Sequence, residues 1–267
     1  MKELFFIGSG KMATAIAGGI IKAGLFTPEQ MGAFDPDTGA AANFTKLTGV
    51  KAVSDSPVDG ISSGKAVVIA VKPQVLDKAL AEFKELLKDK LILSIAAGIT
   101  LEHLAQITGA RRIVRIMPNT PALVGCGAAA YAGNSGVMPE DLELTEKIFS
   151  AVGTVCRLKE TDLDAVTALS GSGPAYVFEF IQALADGGVA EGLPRDTAQL
   201  LAVQTLIGAA KMVLETSEHP SSLKDKVTSP GGTTSRGLEV LAKNALSGTV
   251  MQAVRAAAVR SRELGKK

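Results

Sequence analysis

The sequence predicts an α/β chain in two parts, a doubly wound sheet over residues 1–160 followed by an all-α domain over residues 161–267. Three features of the chain carry that expectation. A short apolar run at residues 4–7 leads straight into the glycine turn Gly8-Ser9-Gly10-Lys11-Met12-Ala13 and an amphipathic stretch that stops at Gly24. Apolar runs of strand length then alternate with helical spacing as far as Leu158. From Asp162 onward only helical patterns remain.

The first run suits a buried parallel strand, and the turn after it has the form G-x-G-x-x-A in the context that gives the pattern meaning: strand, turn, helix. Gly8 permits the tight turn, Gly10 lets a pyrophosphate approach the backbone, and small Ala13 allows close packing of helix on strand. With Ser9, Lys11 and Met12 this makes the first part a Rossmann-like dinucleotide-binding domain. The second strand, residues 31–34, ends at Asp35, where an acid would bond the adenine ribose hydroxyls and favour NAD over NADP. A 2′-phosphate about 4 Å from Asp35 would meet roughly 4 kcal/mol of repulsion per unit charge at an effective dielectric of about 20. Pro36 follows at once and can turn that side chain away, so NADPH and NADH both stay open as cofactors.

Further strands are expected at residues 50–53, 65–71, 91–95, 113–116, 128–131 and 154–158, with helices at 75–87, 101–107 and 140–151 between them. Ligands of such sheets sit beyond the carboxyl ends of the strands. The segments there are Ala70-Val71-Lys72-Pro73, Ala96-Ala97-Gly98 and the loop holding Asn119. Lys72 suits a cofactor phosphate or hydroxyl, or is a solvated lysine; Asn119 suits the nicotinamide, or caps a turn.

In the second part, helices are expected at 163–169, 175–191, 195–218 and 248–264, interrupted by Ser170-Gly171-Ser172-Gly173-Pro174, by Gly192 and by His219-Pro220. Residues 197–210 are apolar nearly all round and should be buried in a homodimer interface. Val227-Thr228-Ser229-Pro230-Gly231-Gly232-Thr233-Thr234 cannot continue a helix, whereas Thr233 or Thr234 can cap a new one. A helix starting at bare glycine backbone, with Ser229, Thr233 and Thr234 hydroxyls beside it, is a seat for a carboxylate or phosphate. The competing reading is a plain linker with a capping threonine.

Composition narrows the function classes. The 46% apolar content of this 267-residue chain supports a sizeable core. Residues 1–160 carry 17 Lys/Arg against 16 Asp/Glu and residues 161–267 carry 11 against 11, so neither part offers a basic face for nucleic acid. Cys126 and Cys156 read as buried thiols, and His103 and His219 as structural, too few to build a metal site. The uncharged stretch at 116–139 is long enough to span a bilayer, but Pro118, Pro121, Gly125, Gly127 and Gly133 break it into loop, strand and loop. A cytoplasmic location with no membrane partner is expected.

IGSGKMA at the N-terminus, AVKPQ at 70–74, SIAAGIT at 94–100, RIMPNTPA at 115–122, SGSGPAYVF at 170–178 and VTSPGGTT at 227–234 together resemble the pyrroline-5-carboxylate reductase family, in the family's order along essentially the full chain. The resemblance implies the last step of proline biosynthesis, hydride transfer from NAD(P)H to C5 of the cyclic imine, and a helical C-terminal domain that dimerises, with dimers often assembling further. It implies a carboxylate seat of Ser229 and the backbone N–H groups of Gly232, Thr233 and Thr234, with the Thr234 hydroxyl near the ring nitrogen as the catalytic group. It also places Ser56 near the cofactor. The alternatives are a related imine or β-hydroxy acid oxidoreductase of the same fold, for which Lys211 lacks the expected motif, and a non-catalytic dinucleotide-binding regulator.

Overall fold

A computed structural model describes residues 2–265. The chain divides into two compact units, one of residues 1–172 with 256–267 and the other of residues 173–255. The expected division at 160 falls inside the first unit, and the last turns of the C-terminal helix also belong there.

The first unit is built on one eight-stranded sheet: β1 (Lys2–Ile7), β2 (Met31–Phe34), β3 (Ala52–Val53), β4 (Gly64–Ile69), β5 (Leu91–Ser94), β6 (Arg112–Met117), β7 (Gly127–Gly133) and β8 (Gly153–Arg157). Its order is β3-β2-β1-β4-β5-β6-β7-β8, so the direction of winding reverses between β1 and β4. All neighbours are parallel except β6 and β7, which pair antiparallel through Val114↔Gly133 to Met117↔Ala130. The helices around it are α1 (Lys11–Lys22), α2 (Thr38–Thr48), α3 (Val58–Ser63), α4 (Leu76–Leu80), α5 (Lys84–Leu87), α6 (Leu101–Thr108), α7 (Pro139–Ser150) and α8 (Leu163–Val166).

Strands buried on both faces read as unbroken apolar runs because successive side chains enter opposite cores. In β1, Leu4 and Phe6 join Ile16, Ile20, Phe44 and Phe149 on one side. Phe5 and Ile7 join Ile61, Val67, Leu76 and Leu104 on the other. Ala13, 1% exposed, is the small residue that seats α1 against this sheet.

Several elements differ from expectation. The helix expected at 75–87 is broken into α4 and α5 by 3-10 turns at Pro73–Val75 and Ala81–Phe83. The strand expected at 50–53 shrinks to β3, since Gly49 in the left-handed region ends α2 and Val50 turns into the core. Cys126 and Cys156 are exposed, not buried: Cys126 follows a 3-10 turn at Thr120–Val124, and β8 is the edge strand of the sheet. Residues Thr167–Gly171 form a π-helical turn continuing α8 where a simple break was expected.

The second unit contains α9 (Gly173–Ala190), α10 (Arg195–Thr216), α11 (Pro220–Lys226), α12 (Thr233–Lys243) and the first part of α13 (Leu246–Leu264). Its own buried core is small: Ala185, Ala198 and Ala202, with Ile181 and Val189 against them. Phe178, Leu200, Leu201, Met212, Leu214 and Met251 are exposed within the single chain. Among the described residues one helix, α10, is long and apolar enough to cross a membrane by length and composition, with 11% of that window buried.

Candidate active site

The glycine turn lies at the switch point of the sheet, where ligands of doubly wound folds bind. Gly8 holds φ +97°, a conformation that side chains rarely adopt, and donates its N–H to the Phe34 carbonyl at 2.8 Å. A Cβ there would stand 2.6 Å from the Ala70 carbonyl oxygen. Backbone from the ends of β1, β2 and β4 thus meets at one residue, bringing together three of the segments singled out in the sequence. Gly10 precedes α1 as its N-cap, and a Cβ on it would meet nothing within 4 Å. The space over Gly10 is open at the N-terminus of a twelve-residue helix with no acid in its first turn, which fits a dinucleotide pyrophosphate.

Asp35 is used inside this turn. Its Oδ2 accepts from the Ser9 N–H at 2.8 Å and from the Ser9 hydroxyl at 3.1 Å, and its Oδ1 accepts from the Asp37 N–H at 3.1 Å. Ser9 is 2% exposed, so the carboxylate fastens a buried residue of the turn. Asp37 in turn N-caps α2, its Oδ1 accepting from the N–H groups of Gly39 at 2.8 Å and Ala40 at 3.1 Å. The Ser56 hydroxyl accepts from the Val58 N–H at 3.3 Å at the opening of α3.

Lys72 is exposed and starts the 3-10 turn after β4. Pro73, Ala97 and Gly98 line one cavity of about 1000 Å³ with Thr100, His103 and Ser261. Gly98 takes φ +76°, and the last turn of α13 lies against it, Leu264 Cβ being 3.8 Å from where a Cβ on Gly98 would sit. Asn119 is 8% exposed: its Oδ1 accepts from the Ala128 N–H at 2.8 Å and its Nδ2 donates to the Ser170 carbonyl at 3.0 Å. One amide therefore ties the end of β6 to the start of β7 and to the π-helical turn.

Two groups that sequence reasoning passed over brace the same region. Glu160 accepts from the Leu101 N–H at 2.6 Å and pairs with buried Arg115 at 3.2 Å, fixing the start of α6 and hence the Ala96–Gly98 loop. Ser261 donates to Asp164 at 2.6 Å, anchoring the end of α13 on α8. Pairings across 59 and 97 residues leave no local pattern to find.

The histidines hold local positions, His103 beside Asp77 at 2.7 Å and His219 accepting from the Ser221 N–H at 3.2 Å. Among the described residues no group of three His, Cys, Asp or Glu is placed to hold a metal.

In the second unit the N-cap of α12 is Gly232, with φ −75° and ψ 174°, and not Thr233 or Thr234. Both threonines already have helical geometry, so neither hydroxyl caps the helix. Gly231, at φ +69°, turns the chain so that the Ser229 hydroxyl lies directly over the Gly232 Cα. The first helical bond of α12 runs from the Arg236 N–H to the Gly232 carbonyl, leaving the N–H groups of Thr233, Thr234 and Ser235 at the open end. Ser229 is exposed and Thr234 half-buried. This helix start presents amide donors and hydroxyls with no side-chain cap of its own, a geometry that receives an oxyanion.

A glycine turn at the sheet's switch point, opening on a free helix N-terminus, defines the class of dinucleotide-dependent oxidoreductases. A family model described as pyrroline-5-carboxylate reductase dimerisation matches residues 160–264, and one described as NADP oxidoreductase, coenzyme F420-dependent, matches residues 3–98. The pyrroline-5-carboxylate reductase of Synechocystis sp. is 46% identical over 265 residues, 99% of each chain. A pyrroline-5-carboxylate reductase structure from Coxiella burnetii superposes with a TM-score of 0.93 at 36% identity, covering 100% of this chain and 99% of that one. The Plasmodium falciparum pyrroline carboxylate reductase with NADP bound gives a TM-score of 0.89 at 37% identity, covering 99% and 98%. The chain belongs to the pyrroline-5-carboxylate reductase family, and its C-terminal helices are that family's dimerisation region.

Proposed function

We propose that this chain reduces L-1-pyrroline-5-carboxylate to L-proline with NADPH or NADH, and that Ser229 and the start of α12 hold the substrate carboxylate. The observation that carries the residue assignment is the uncapped N-terminus of α12, where three N–H groups and the Ser229, Thr233 and Thr234 hydroxyls stand open. Charge-assisted hydrogen bonds to a carboxylate contribute about 1.5–3 kcal/mol each, enough to orient a five-membered ring. Gly232 belongs to this seat because a side chain there would collide with the Ser229 hydroxyl.

A reduced nicotinamide, when bound, would supply the hydride that C5 of the imine accepts. The electron pair of the C=N bond then rests on the ring nitrogen, which in proline carries the added proton. Thr234 is the residue proposed to hold that nitrogen, its hydroxyl donating or relaying the proton. An imine already protonated needs no strong acid, so rate arises chiefly from positioning. Gly8, Ser9, Gly10, Lys11 and Met12 cradle the pyrophosphate, with Ala70, Val71, Lys72 and Pro73 along the dinucleotide and Ala96, Ala97 and Gly98 toward its nicotinamide end. Asp35 and Ser56 flank the adenosine side. Asn119 keeps one amide N–H for the nicotinamide carboxamide beyond the bond to Ser170.

The second unit joins a second copy of this chain. Its three-alanine core and its exposed Leu200, Leu201 and Leu214 leave an apolar surface that an identical helical surface would cover, and Lys211 and Glu215 within α10 favour a protein partner over lipid. A cytoplasmic homodimer follows. Following cofactor oxidation at 340 nm with pyrroline-5-carboxylate tests the activity. Turnover of a β-hydroxy acid in its place, or none with either, would replace this reading with one of its alternatives.

A further inference from the structure

We propose that Asp37, and not Asp35, sets the dinucleotide preference of this chain, and sets it toward NADH. The proposal rests on the dinucleotide half of the reading above and is independent of the substrate. β2 and β3 end side by side, Phe34 paired with Val53 and the Asp35 N–H bonded to the Val53 carbonyl at 3.1 Å. The loops that follow them, residues 35–38 and 54–56, lie at the carboxyl ends of adjacent strands, the place past β2 where this fold receives the adenosine ribose. These loops and the glycine turn hold three carboxylates, Asp35, Asp37 and Asp55, against one base, Lys11.

The acid that the fingerprint assigns to the ribose is already engaged. Both oxygens of Asp35 serve Ser9 and the Asp37 N–H, and the Ser9 end is buried, so reaching outward would strip two donors from the turn. The same bond to the Asp37 N–H fixes the backbone that carries the next acid. Asp37 is exposed; its Oδ1 takes the Gly39 and Ala40 N–H groups, and its Oδ2 accepts nothing from the described residues. A 2′-phosphate at α2 would seek those same two amides and find them serving a carboxylate. A ribose 2′-hydroxyl, by contrast, can donate to the free Oδ2.

The test is direct binding without imine, so its failure leaves the reductase reading intact, and failure of that reading leaves this test meaningful. Purified enzyme is titrated with NADH and with NADPH by ligand fluorescence. NADH should bind at least about tenfold tighter, equivalent to about 1.4 kcal/mol, with the gap narrowing as added salt screens the exposed charge. Asp37→Asn keeps an oxygen for the capping amides but drops both the charge and the free acceptor, so it should tighten NADPH about tenfold and weaken NADH, whose 2′-hydroxyl loses its acceptor, by about three- to tenfold. Asp37→Ser, which also caps, should do the same if Asp37→Asn folds poorly. Asp35→Asn should weaken both cofactors alike. NADPH bound by the native enzyme as tightly as NADH, a ratio unmoved by both Asp37 variants, or a ratio that moves only with Asp35→Asn would each overturn the proposal.

Discussion

A methyl group placed on Gly8 and the same methyl placed on Gly10 should act on different properties of the molecule. At Gly8 the backbone sits at φ +97°, where an alanine costs about 1–3 kcal/mol. Its Cβ would lie 2.6 Å from the Ala70 carbonyl oxygen and 2.8 Å from the carbonyl carbon, both backbone atoms just past β4. Pushing β1 from β4, which pair from Lys2 to Ile7, adds an overpacking cost of about 1–3 kcal/mol. The sum, roughly 2–6 kcal/mol, is a large share of an ordinary domain's stability and should lower Tm by roughly 5–20 °C without cofactor. Gly10 has φ −68° and open space around it, so alanine there loses only a weak helix cap, about 0.5–1 kcal/mol or a few degrees. That methyl points into the space assigned to the pyrophosphate. Losing one charge-assisted N–H contact, about 1.5–3 kcal/mol, should weaken NADPH and NADH roughly 10- to 150-fold. Thermal melts with and without cofactor, with fluorescence titration, read both effects. A Gly10→Ala enzyme that binds either cofactor as well as the native chain would refute the placement of the dinucleotide on this turn, and a Gly8→Ala enzyme that melts at the native temperature would refute the strain assigned to Gly8.

Thr234→Ala should lower kcat/KM by roughly 10², and Thr234→Ser should recover most of it, because the hydroxyl caps nothing in the chain; native turnover would return Thr234 to a purely structural place. Asn119→Ala removes two part-buried hydrogen bonds, to the Ala128 N–H and the Ser170 carbonyl, a cost of about 1–3 kcal/mol that a thermal melt should report as a fall of roughly 3–10 °C. Leu200→Asp with Leu201→Asp should shift sedimentation from dimer toward monomer, since two charges on a buried apolar interface exceed what a contact of ordinary size can absorb.

Much of the first unit was legible because strands buried on both faces leave continuous apolar runs, and β2 falls on the residues that the sequence indicates. The reversal at β7 also left a trace: between Met117 and Gly127 there is only a short 3-10 turn, too little chain for the crossover that a parallel neighbour requires. The break between α4 and α5 left none, because Leu76, Leu80 and Leu87 keep helical spacing across it. Asp35 stands where the fingerprint expects an acid, and its carboxylate bonds Ser9 and the Asp37 N–H. Its partner, Ser9, lies 26 residues away, and a contact of that kind has no periodicity. The start of α12 falls where the sequence indicates a new helix, but at Gly232 and not at a threonine, although threonine leads glycine among helix caps. The structure puts Gly232 there and so frees both hydroxyls.

That exchange of cap matters for how the second unit works. A threonine cap would occupy one helix-start N–H with its own hydroxyl and weaken the seat as an anion receptor, whereas a glycine cap leaves donors that only solvent or a ligand satisfies. Such a start is costly to hold in place, and this unit has little with which to hold it: three alanines in its core, and leucines, methionines and phenylalanines facing outward from a single chain. The first unit, with two apolar cores around its sheet, has enough burial to keep the glycine turn ordered on its own. If the seat proposed at α12 holds the substrate, dinucleotide binding should survive the loss of the dimer while affinity for proline falls with it, because a second copy covering α9 and α10 would order the helices around that seat. Equal loss of both affinities in the Leu200→Asp, Leu201→Asp chain would mean that the two units do not differ in this way.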